Sequence, residues 1–462
     1  MVSIAAPSRV SPAGTAPAPP AVAPAPARDR VLDLVRIAAI VLVVAQHWLV
    51  PILAVDGGAI VLERANVLES LWPATWITQV MPLVFFTSGA AAALSLRGRP
   101  ASSRWVSTRL TRLIGGVVVL ALVWLPMPWL LLSTGLDPAV VSVGARLIGA
   151  LLWFLVVLVI LTGLTPVLRR LAERHKGVEL AVLAAAAVAV DALRFGLGWE
   201  DVGYLNALLV WAAVYTIGIH YAHGRLAALR GGRAVAAATT GMLALGAAVA
   251  IGGYPPAMIG LPGTTVSNMN PPSAALLALA VAQIGLLLAF RPALARLVGR
   301  RPVAALVDRC APHTMTVYLW HTPAIVLVAA VVVALGQDAS AVGSAAWWWQ
   351  LPAWCLAASA VLAMSVAGVG RAGLRPGSGR VGTARAVGGG MLACAGLAAL
   401  MVGGFDPARW TDLAGPLVGV GALIGAAALM GARPHADLPS LRRSTARELA
   451  GAATPVHGKV IA

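Results

Sequence analysis

The chain has 462 residues, of which 59% are hydrophobic and only 11% are charged. Its mean hydropathy is +0.86. Soluble domains carry about 25% charged residues, so this composition excludes an ordinary soluble protein and predicts an integral membrane protein.

Apolar segments of about 20 residues recur along the chain, and each is long enough to cross a bilayer. Before them, residues 1–30 form an Ala/Pro-rich tail that cannot build a core, and we expect this tail to be disordered. After them, residues 433–462 return to a polar, basic composition. The sequence therefore predicts an all-α fold, a polytopic transmembrane helical bundle of about twelve helices. The predicted spans lie near 31–50, 75–96, 113–132, 147–168, 178–197, 203–221, 234–254, 273–290, 313–335, 346–368, 386–404 and 413–431.

The formal net charge of +17 raises the idea of nucleic-acid binding, but the charges alternate with the spans. With the N-terminus placed in the cytoplasm, all but four of the 34 lysines and arginines lie on the inner side. The four outer basic residues are Arg64, Arg146, Arg194 and Arg409. This bias is the one that the positive-inside rule describes. We therefore expect a multi-pass protein of the plasma membrane with both termini cytoplasmic and no nucleic-acid partner.

The first span carries two ionisable residues, Arg36 and His47, where each charge would cost at least about 2.5–3.5 kcal/mol on insertion scales. Eleven residues separate them, which is close to three helical turns and about 16 Å of helix rise. Both side chains therefore share one face, and that face is expected to look into the protein. Two plainer interpretations stay open. Arg36 could extend to lipid phosphates beside Asp33, and His47 could be an interfacial histidine next to Trp48.

The Arg36-x10-His47 pattern resembles the signature of the acyltransferase 3 family of integral membrane O-acyltransferases. Further segments resemble family motifs in the same order along the chain. These are Met81–Gly89 (MPLVFFTSG), Arg109-Leu-Thr-Arg112, Leu152–Leu155 (LWFL), Ser267–Pro272 (SNMNPP) and Thr314–His321 (TMTVYLWH).

The resemblance implies a ten-helix acyltransferase core over residues 31–370, with about two additional transmembrane helices over 371–432. The chain departs from the family pattern in two respects. Ile37 stands where relatives usually have glycine, and no segment after residue 370 resembles the SGNH hydrolase-like domain of the fused members. The chain is therefore expected either to acylate its final acceptor or to pass the acyl group to an extracytoplasmic partner transferase.

The resemblance also implies an acyl-CoA donor, most commonly acetyl-CoA, that arrives from the cytoplasm. Arg109 and Arg112 lie three residues apart on one helix face and suit bidentate contacts to the phosphates of coenzyme A. Arg36 is expected to hold the polar part of the donor or to orient its thioester. The alternative for Arg109 and Arg112 is an ordinary contribution to the positive-inside bias.

His47 is expected to act as the general base on an acceptor hydroxyl, because a neutral imidazole is well suited to that task near pH 7. A covalent acyl-histidine is the alternative. His321 lies near the middle of its span, as a second acid or base or as a hydrogen-bond partner. Expected acceptors are a carbohydrate, a glycolipid or a cell-wall polymer. No metal is expected, since the three cysteines are isolated.

Other polar residues receive structural interpretations. Asp191 and Arg194 are expected to form a local ion pair, and His220 and His223 to face solvent at the inner surface. The loop with Asn268 and Asn270 is either a contact surface for a sugar or a rigid proline turn. For the whole chain, a secondary transporter remains the competing function, because buried Arg and His residues suit one as well. A membrane scaffold would leave the ordered motifs unexplained.

Overall fold

The computed structural model describes residues 28–49, 53–56, 59–62, 72–97, 102–260, 266–336, 340, 343–370 and 372–436. Across these residues the chain is a bundle of helices, as the apolar segments predict. The helices are α1 (Arg30–Leu49), α2 (Thr75–Thr78), α3 (Met81–Ser95), α4 (Ser103–Trp124), α5 (Met127–Ser133), α6 (Pro138–Ala150), α7 (Trp153–His175), α8 (Val178–Leu197), α9 (Asn206–Ala222), α10 (Gly232–Ile251), α11 (Ala275–Gly299), α12 (Arg301–Cys310), α13 (Thr314–Ala334), α14 (Ala345–Val369), α15 (Thr383–Gly403) and α16 (Pro416–Leu429).

Four short strands accompany the described helices. β1 (Leu53–Asp56) and β2 (Ala59–Leu62) pair antiparallel directly after α1, with Leu53 opposite Leu62. β3 (Ala372–Arg375) pairs antiparallel with β4 (Arg433–Ala436), so that Ala372 lies opposite Ala436. The second pair joins the segment after α14 to the segment after α16, although more than fifty residues separate them.

Eleven helical segments of the described chain are long and apolar enough to cross a membrane. Ten of them precede residue 370, and the eleventh is α15. The predicted twelfth span corresponds to α16, which has only 14 residues and is shorter than the roughly 20 that a perpendicular span requires. The prediction of a polytopic helical bundle is therefore confirmed. Residues 1–27 and 437–462, which make up nearly all of the two predicted tails, lie outside the described residues.

Two glycines allow α3 and α9 to approach each other closely. A Cβ atom on Gly89 would lie 2.0 Å from the carbonyl oxygen of Tyr215, and one on Gly218 would lie 2.1 Å from that of Phe86. Small residues at such contacts are typical of helix pairs in membranes, where close packing provides much of the attraction. The glycine of the MPLVFFTSG segment is therefore required by helix packing.

The additional C-terminal elements pack against the rest of the bundle. α15 contacts α4, α6, α7 and α16, and β3 lies against α4. A Cβ atom on Gly149 would lie 2.1 Å from the Leu400 carbonyl oxygen, and one on Gly115 would lie 2.8 Å from the Leu374 nitrogen. At the start of α4, the Ser103 hydroxyl donates a hydrogen bond to the Val381 carbonyl over 2.7 Å. The C-terminal segment thus packs directly against α4.

We expect Gly89→Ala to lower the unfolding temperature of the purified protein in detergent. The added methyl group collides with the Tyr215 carbonyl, and overpacking of this kind costs about 1–3 kcal/mol. Gly163→Ala is the matched control, because a Cβ atom there would meet nothing within 4 Å. Since alanine favours helix over glycine, the control should be neutral or stabilising. Equal unfolding temperatures for the two variants would contradict the close α3–α9 contact.

Candidate active site

One stripe of α1 carries the residues that the sequence singles out. Arg36 and His47 lie on it, and Ile40 and Val43, which occupy the same stripe between them, are buried at 6% and 5% exposure. The prediction that Arg36 and His47 share an inward face is therefore confirmed. α1 contacts α3, α11, α12 and α13. These neighbours replace the lipid that could not solvate the polar side chains.

His47 meets His321 across the contact between α1 and α13. The two ring centroids are 5.0 Å apart, and His321 Nε2 lies 3.3 Å from His47 Nδ1. His321 is completely buried, whereas His47 is partly exposed. The neighbouring Trp48 indole donates a hydrogen bond to the His321 carbonyl over 3.1 Å, which fixes the two helices at this level. The structure thus brings together two histidines that are 274 residues apart in the chain.

The hydrogen bonds of the pair define which ring nitrogens carry protons. His47 Nδ1 faces the Val43 carbonyl at 2.8 Å, and His321 Nδ1 faces the Tyr318 carbonyl at 2.5 Å. A carbonyl oxygen only accepts, so Nδ1 is the protonated nitrogen in both neutral rings. His321 Nε2 is then an acceptor that shares the His47 Nδ1 proton. His47 Nε2 keeps a free lone pair, and it has no hydrogen-bond partner within the described part of the chain.

A chain of aromatic contacts joins the histidine pair to the other motifs. The Tyr318 ring lies 5.7 Å from His321 and 5.2 Å from Phe154 of the LWFL segment. Phe154 in turn contacts Phe85 of the MPLVFFTSG segment edge-on at 5.2 Å, and Phe85 stacks on Trp211 at 4.6 Å. The Tyr318 hydroxyl donates to the Leu151 carbonyl over 2.5 Å. Segments that were separate motifs in the sequence therefore form one packed cluster behind the pair.

Arg36 lies nearer the end of the bundle where α1 begins. This end also carries the basic residues Arg97, Arg225, Arg230 and Arg291, and we call it the basic end. An Arg36 Nη2 donor contacts Asp33 Oδ1 at 2.7 Å, while Arg28 contacts the other oxygen of the same carboxylate. Asp33 is thus shared by two arginines. The Arg36 Nε atom is buried and has no partner among the described residues.

Arg109 and Arg112 differ in their surroundings. Arg109 is half-buried, donates to the Ala91 carbonyl of α3 over 3.0 Å and lies over the Trp105 ring at 5.2 Å. Arg112 is exposed. Arg36 and Arg112 both lie within electrostatic range of Arg109, and a carbonyl and an indole ring do not neutralise its charge. The three arginines therefore form a region of positive charge, in which Asp33 pairs with Arg36.

The predicted ion pair between Asp191 and Arg194 is wrong. Arg194 is 1% exposed and turns to Glu200 at 2.9 Å and to the carbonyls of Ser267 and Pro271. Asp191 instead accepts hydrogen bonds from Asn206, Tyr254 and the Ala274 amide. Burial and the adjacent Asp191 carboxylate raise the pKa of the Tyr254 phenol. The spacing of three residues suggested a contact between Asp191 and Arg194 on one helix face. In the fold, each side chain instead binds partners from neighbouring segments.

The predicted exposure of His220 is also wrong. Its Nε2 lies 2.5 Å from Glu179 of α8, its Nδ1 accepts from Arg225, and the residue is 3% exposed. His223 is partly exposed, near Glu173. In the loop before α11, Asn268 is completely buried and donates to the Pro255 and Ala257 carbonyls. This residue therefore holds the turn together; Asn270 is exposed, and residues 263–265 of the loop lie outside the described residues.

Sequence reasoning missed three groups that shape the site. The Trp48 indole fixes α13, the Val43 carbonyl sets the His47 tautomer, and Trp211 supports Phe85. Trp48 is adjacent to His47 in the sequence, but its aromatic character pointed to the membrane interface. No sequence signal identifies a backbone carbonyl as the partner of a particular ring nitrogen.

The fold and these residues define an integral membrane protein with a histidine pair between α1 and α13 and with a basic end. A family model described as an acyltransferase domain matches residues 29–369. The chain belongs to this family, acyltransferase 3, and is a multi-pass membrane acyltransferase. The match therefore favours the enzyme over the transporter and the scaffold. No curated protein and no solved structure gives a significant match to the chain.

We expect Arg109→Lys to lower the unfolding temperature of the protein, and Arg112→Lys to leave it nearly unchanged. A lysine at position 109 keeps the charge but loses the planar contact to Trp105 and weakens the bond to the Ala91 carbonyl, at a cost of about 1 kcal/mol. Position 112 is exposed, and surface substitutions usually change stability by less than about 0.5 kcal/mol. Thermal unfolding in detergent measures both. Equal losses for the two variants would contradict the different surroundings of the two arginines.

Proposed function

We propose that this acyltransferase moves an acyl group, most simply acetyl, from cytoplasmic acyl-CoA to a hydroxyl group of a carbohydrate, glycolipid or cell-wall acceptor. The observation that carries the proposal is the His47–His321 pair, with a free lone pair on His47 Nε2, inside a bundle of the acyltransferase 3 family. In this proposal the basic end faces the cytoplasm of the cell and the acceptor approaches from the other side of the plasma membrane. The positive-inside bias supports that orientation.

The donor is held at the basic end by Arg36, Arg109 and Arg112. Coenzyme A carries several phosphate charges, and of these three arginines only Arg36 is paired with a carboxylate, that of Asp33. The buried and unpartnered Nε of Arg36 offers a further donor for the polar part of the acyl-CoA. Charge-assisted bonds from guanidinium to phosphate are among the stronger hydrogen bonds, so this region supports binding of a polyanionic donor.

The acyl group has to travel from this region to the histidines. Arg36 and His47 are separated by about 16 Å of helix rise, and both side chains face the same side of α1. The long pantetheine arm of coenzyme A suits this separation. In the proposed pose, the phosphates stay near the arginines while the thioester reaches the level of His47.

His47 acts as the general base in the transfer. Its Nε2 takes the proton of the acceptor hydroxyl as the oxygen attacks the thioester carbonyl carbon. A new C–O bond forms, the C–S bond breaks, and the proton on the imidazolium passes to the departing sulfur. His321 is a positioning residue: its neutral Nε2 accepts the His47 Nδ1 proton and so supports the imidazolium that forms at His47.

We expect His47→Ala to reduce acyl transfer about 10²–10⁴-fold, the range for the loss of a general base. Membrane vesicles that contain the full-length protein are supplied with radiolabelled acetyl-CoA, and label is measured in the lipid and polymer fractions. His175→Ala, at an exposed histidine at the end of α7, is the control and should keep wild-type activity. His321→Ala should fall between the two, with a shifted pH profile, because His47 loses its acceptor. Near-wild-type transfer by a folded His47→Ala protein would refute the role of His47.

The covalent alternative predicts a different result when no acceptor is present. Under direct transfer, purified protein mixed with radiolabelled acetyl-CoA and quenched rapidly retains no label on the polypeptide. An acyl-histidine would give stoichiometric label that is lost in His47→Ala and kept in His175→Ala, because only His47 has a free Nε2 at the pair. We expect no label. Label that depends on His47 would replace the general-base mechanism with a covalent one.

A further inference from the structure

A cavity of about 470 Å³ opens at the basic end, and its lining includes Leu94 of α3 and Arg97 just after that helix. It lies between the ends of α3 and α9, the second half of α11 and the residue before α1. Its volume falls in the range of small-molecule sites. Neither histidine of the pair lines it, and neither do Arg36, Arg109 and Arg112.

The walls of this cavity are positively charged. Three arginines line it, Arg97, Arg230 and Arg291, against a single acidic residue, Asp29. The Asp29 carboxylate is already engaged, because it accepts hydrogen bonds from the Tyr221 hydroxyl at 2.7 Å and from Arg291 at 3.1 Å. An excess of two positive charges therefore remains in the cavity.

Two of the three arginines also have structural contacts. Arg97 donates to the Ala222 carbonyl at the end of α9 over 2.9 Å, and Arg291 contacts Tyr221 as well as Asp29. Arginines near helix ends often serve only to neutralise the last carbonyls. Arg230 is different, since it is exposed and has no hydrogen-bond or ion-pair partner among the described residues. It follows α9 by eight residues and does not cap that helix.

We propose that this cavity is a second anion site, which binds a ligand bearing a phosphate group through Arg97, Arg230 and Arg291. Planar guanidinium groups match phosphate oxygens in two-point contacts, and three of them around a concave surface suit a phosphomonoester or a diphosphate better than a lone charge. The leucine and alanine side chains of the lining, such as Leu94, Leu226 and Leu288, supply an apolar wall for the rest of the ligand. The phosphate comes either from a soluble nucleotide or from the headgroup of an anionic lipid.

Arg230→Gln tests the site, because its side chain makes no contact that the fold requires. Arg233→Gln is the matched control: Arg233 is exposed in the first turn of α10, three residues after Arg230, carries the same charge, and does not line the cavity. Full-length protein is placed in nanodiscs of phosphatidylcholine for the first probe, guanosine 5′-diphosphate, whose binding is measured by calorimetry. The second probe is retention of phosphatidylglycerol, measured by native mass spectrometry of protein from mixed-lipid nanodiscs.

We expect Arg230→Gln to weaken the binding of one of the two probes at least about tenfold, because one charge-assisted hydrogen bond is lost. Arg233→Gln should leave the binding of that probe unchanged. Weaker binding of the nucleotide by Arg230→Gln identifies a soluble phosphorylated ligand. Weaker retention of the lipid by the same variant identifies a lipid headgroup. The proposal is overturned if the wild-type protein binds neither probe, or if both variants bind as the wild type does or weaken binding equally.

The result is independent of the acyl-transfer assay. If His47→Ala abolishes transfer and Arg230→Gln leaves both probes unchanged, only the anion site is refuted. If Arg230→Gln weakens a probe and His47→Ala transfers normally, only the role of His47 in the proposed function is refuted.

Discussion

The contact between His47 and His321 is the interaction on which the arrangement of the bundle depends. Two imidazole rings inside a membrane protein need partners, because lipid offers none and an unpaired polar group in hydrocarbon costs several kcal/mol. Three of the four ring nitrogens meet this requirement within the pair and at the carbonyls of Val43 and Tyr318, and His47 Nε2 is the one without a partner among the described residues. α1 and α13 must therefore lie side by side at this level, and the Trp48 indole holds them there.

The surrounding helices are organised to keep this contact in place. Phe85, Phe154 and Tyr318 pack as a continuous aromatic layer behind His321. That layer requires α3, α7 and α13 to converge, and the close α3–α9 approach through Gly89 and Gly218 completes one wall. The motifs thus have two physical roles: some residues carry polar chemistry, and others bring the helices close enough for it.

Charge is divided between the two parts of the proposed site. The histidines are hydrogen-bonded within the bundle, whereas the arginines gather near the end where α1 begins. Arg36 connects the two, since it occupies the same stripe of α1 as His47 and shares Asp33 with Arg28. A polyanionic donor and a neutral hydroxyl acceptor call for such a division, because an imidazole base works best away from competing cations and phosphates need them close.

The sequence by itself determined the class of the protein, the positions of its long apolar helices and the residues worth attention. Apolar segments of fixed length specify helices in a bilayer, and the spacing of Arg36 and His47 places both on one face of a helix, because these properties depend only on local geometry. The tertiary structure decided which side chains contact each other. It paired His47 with His321, gave Asp191 and Arg194 separate partners, buried His220 against Glu179 and made Arg109 differ from Arg112. Each of these outcomes depends on contacts between helices distant in the chain, and residue spacing within one helix carries no information about them.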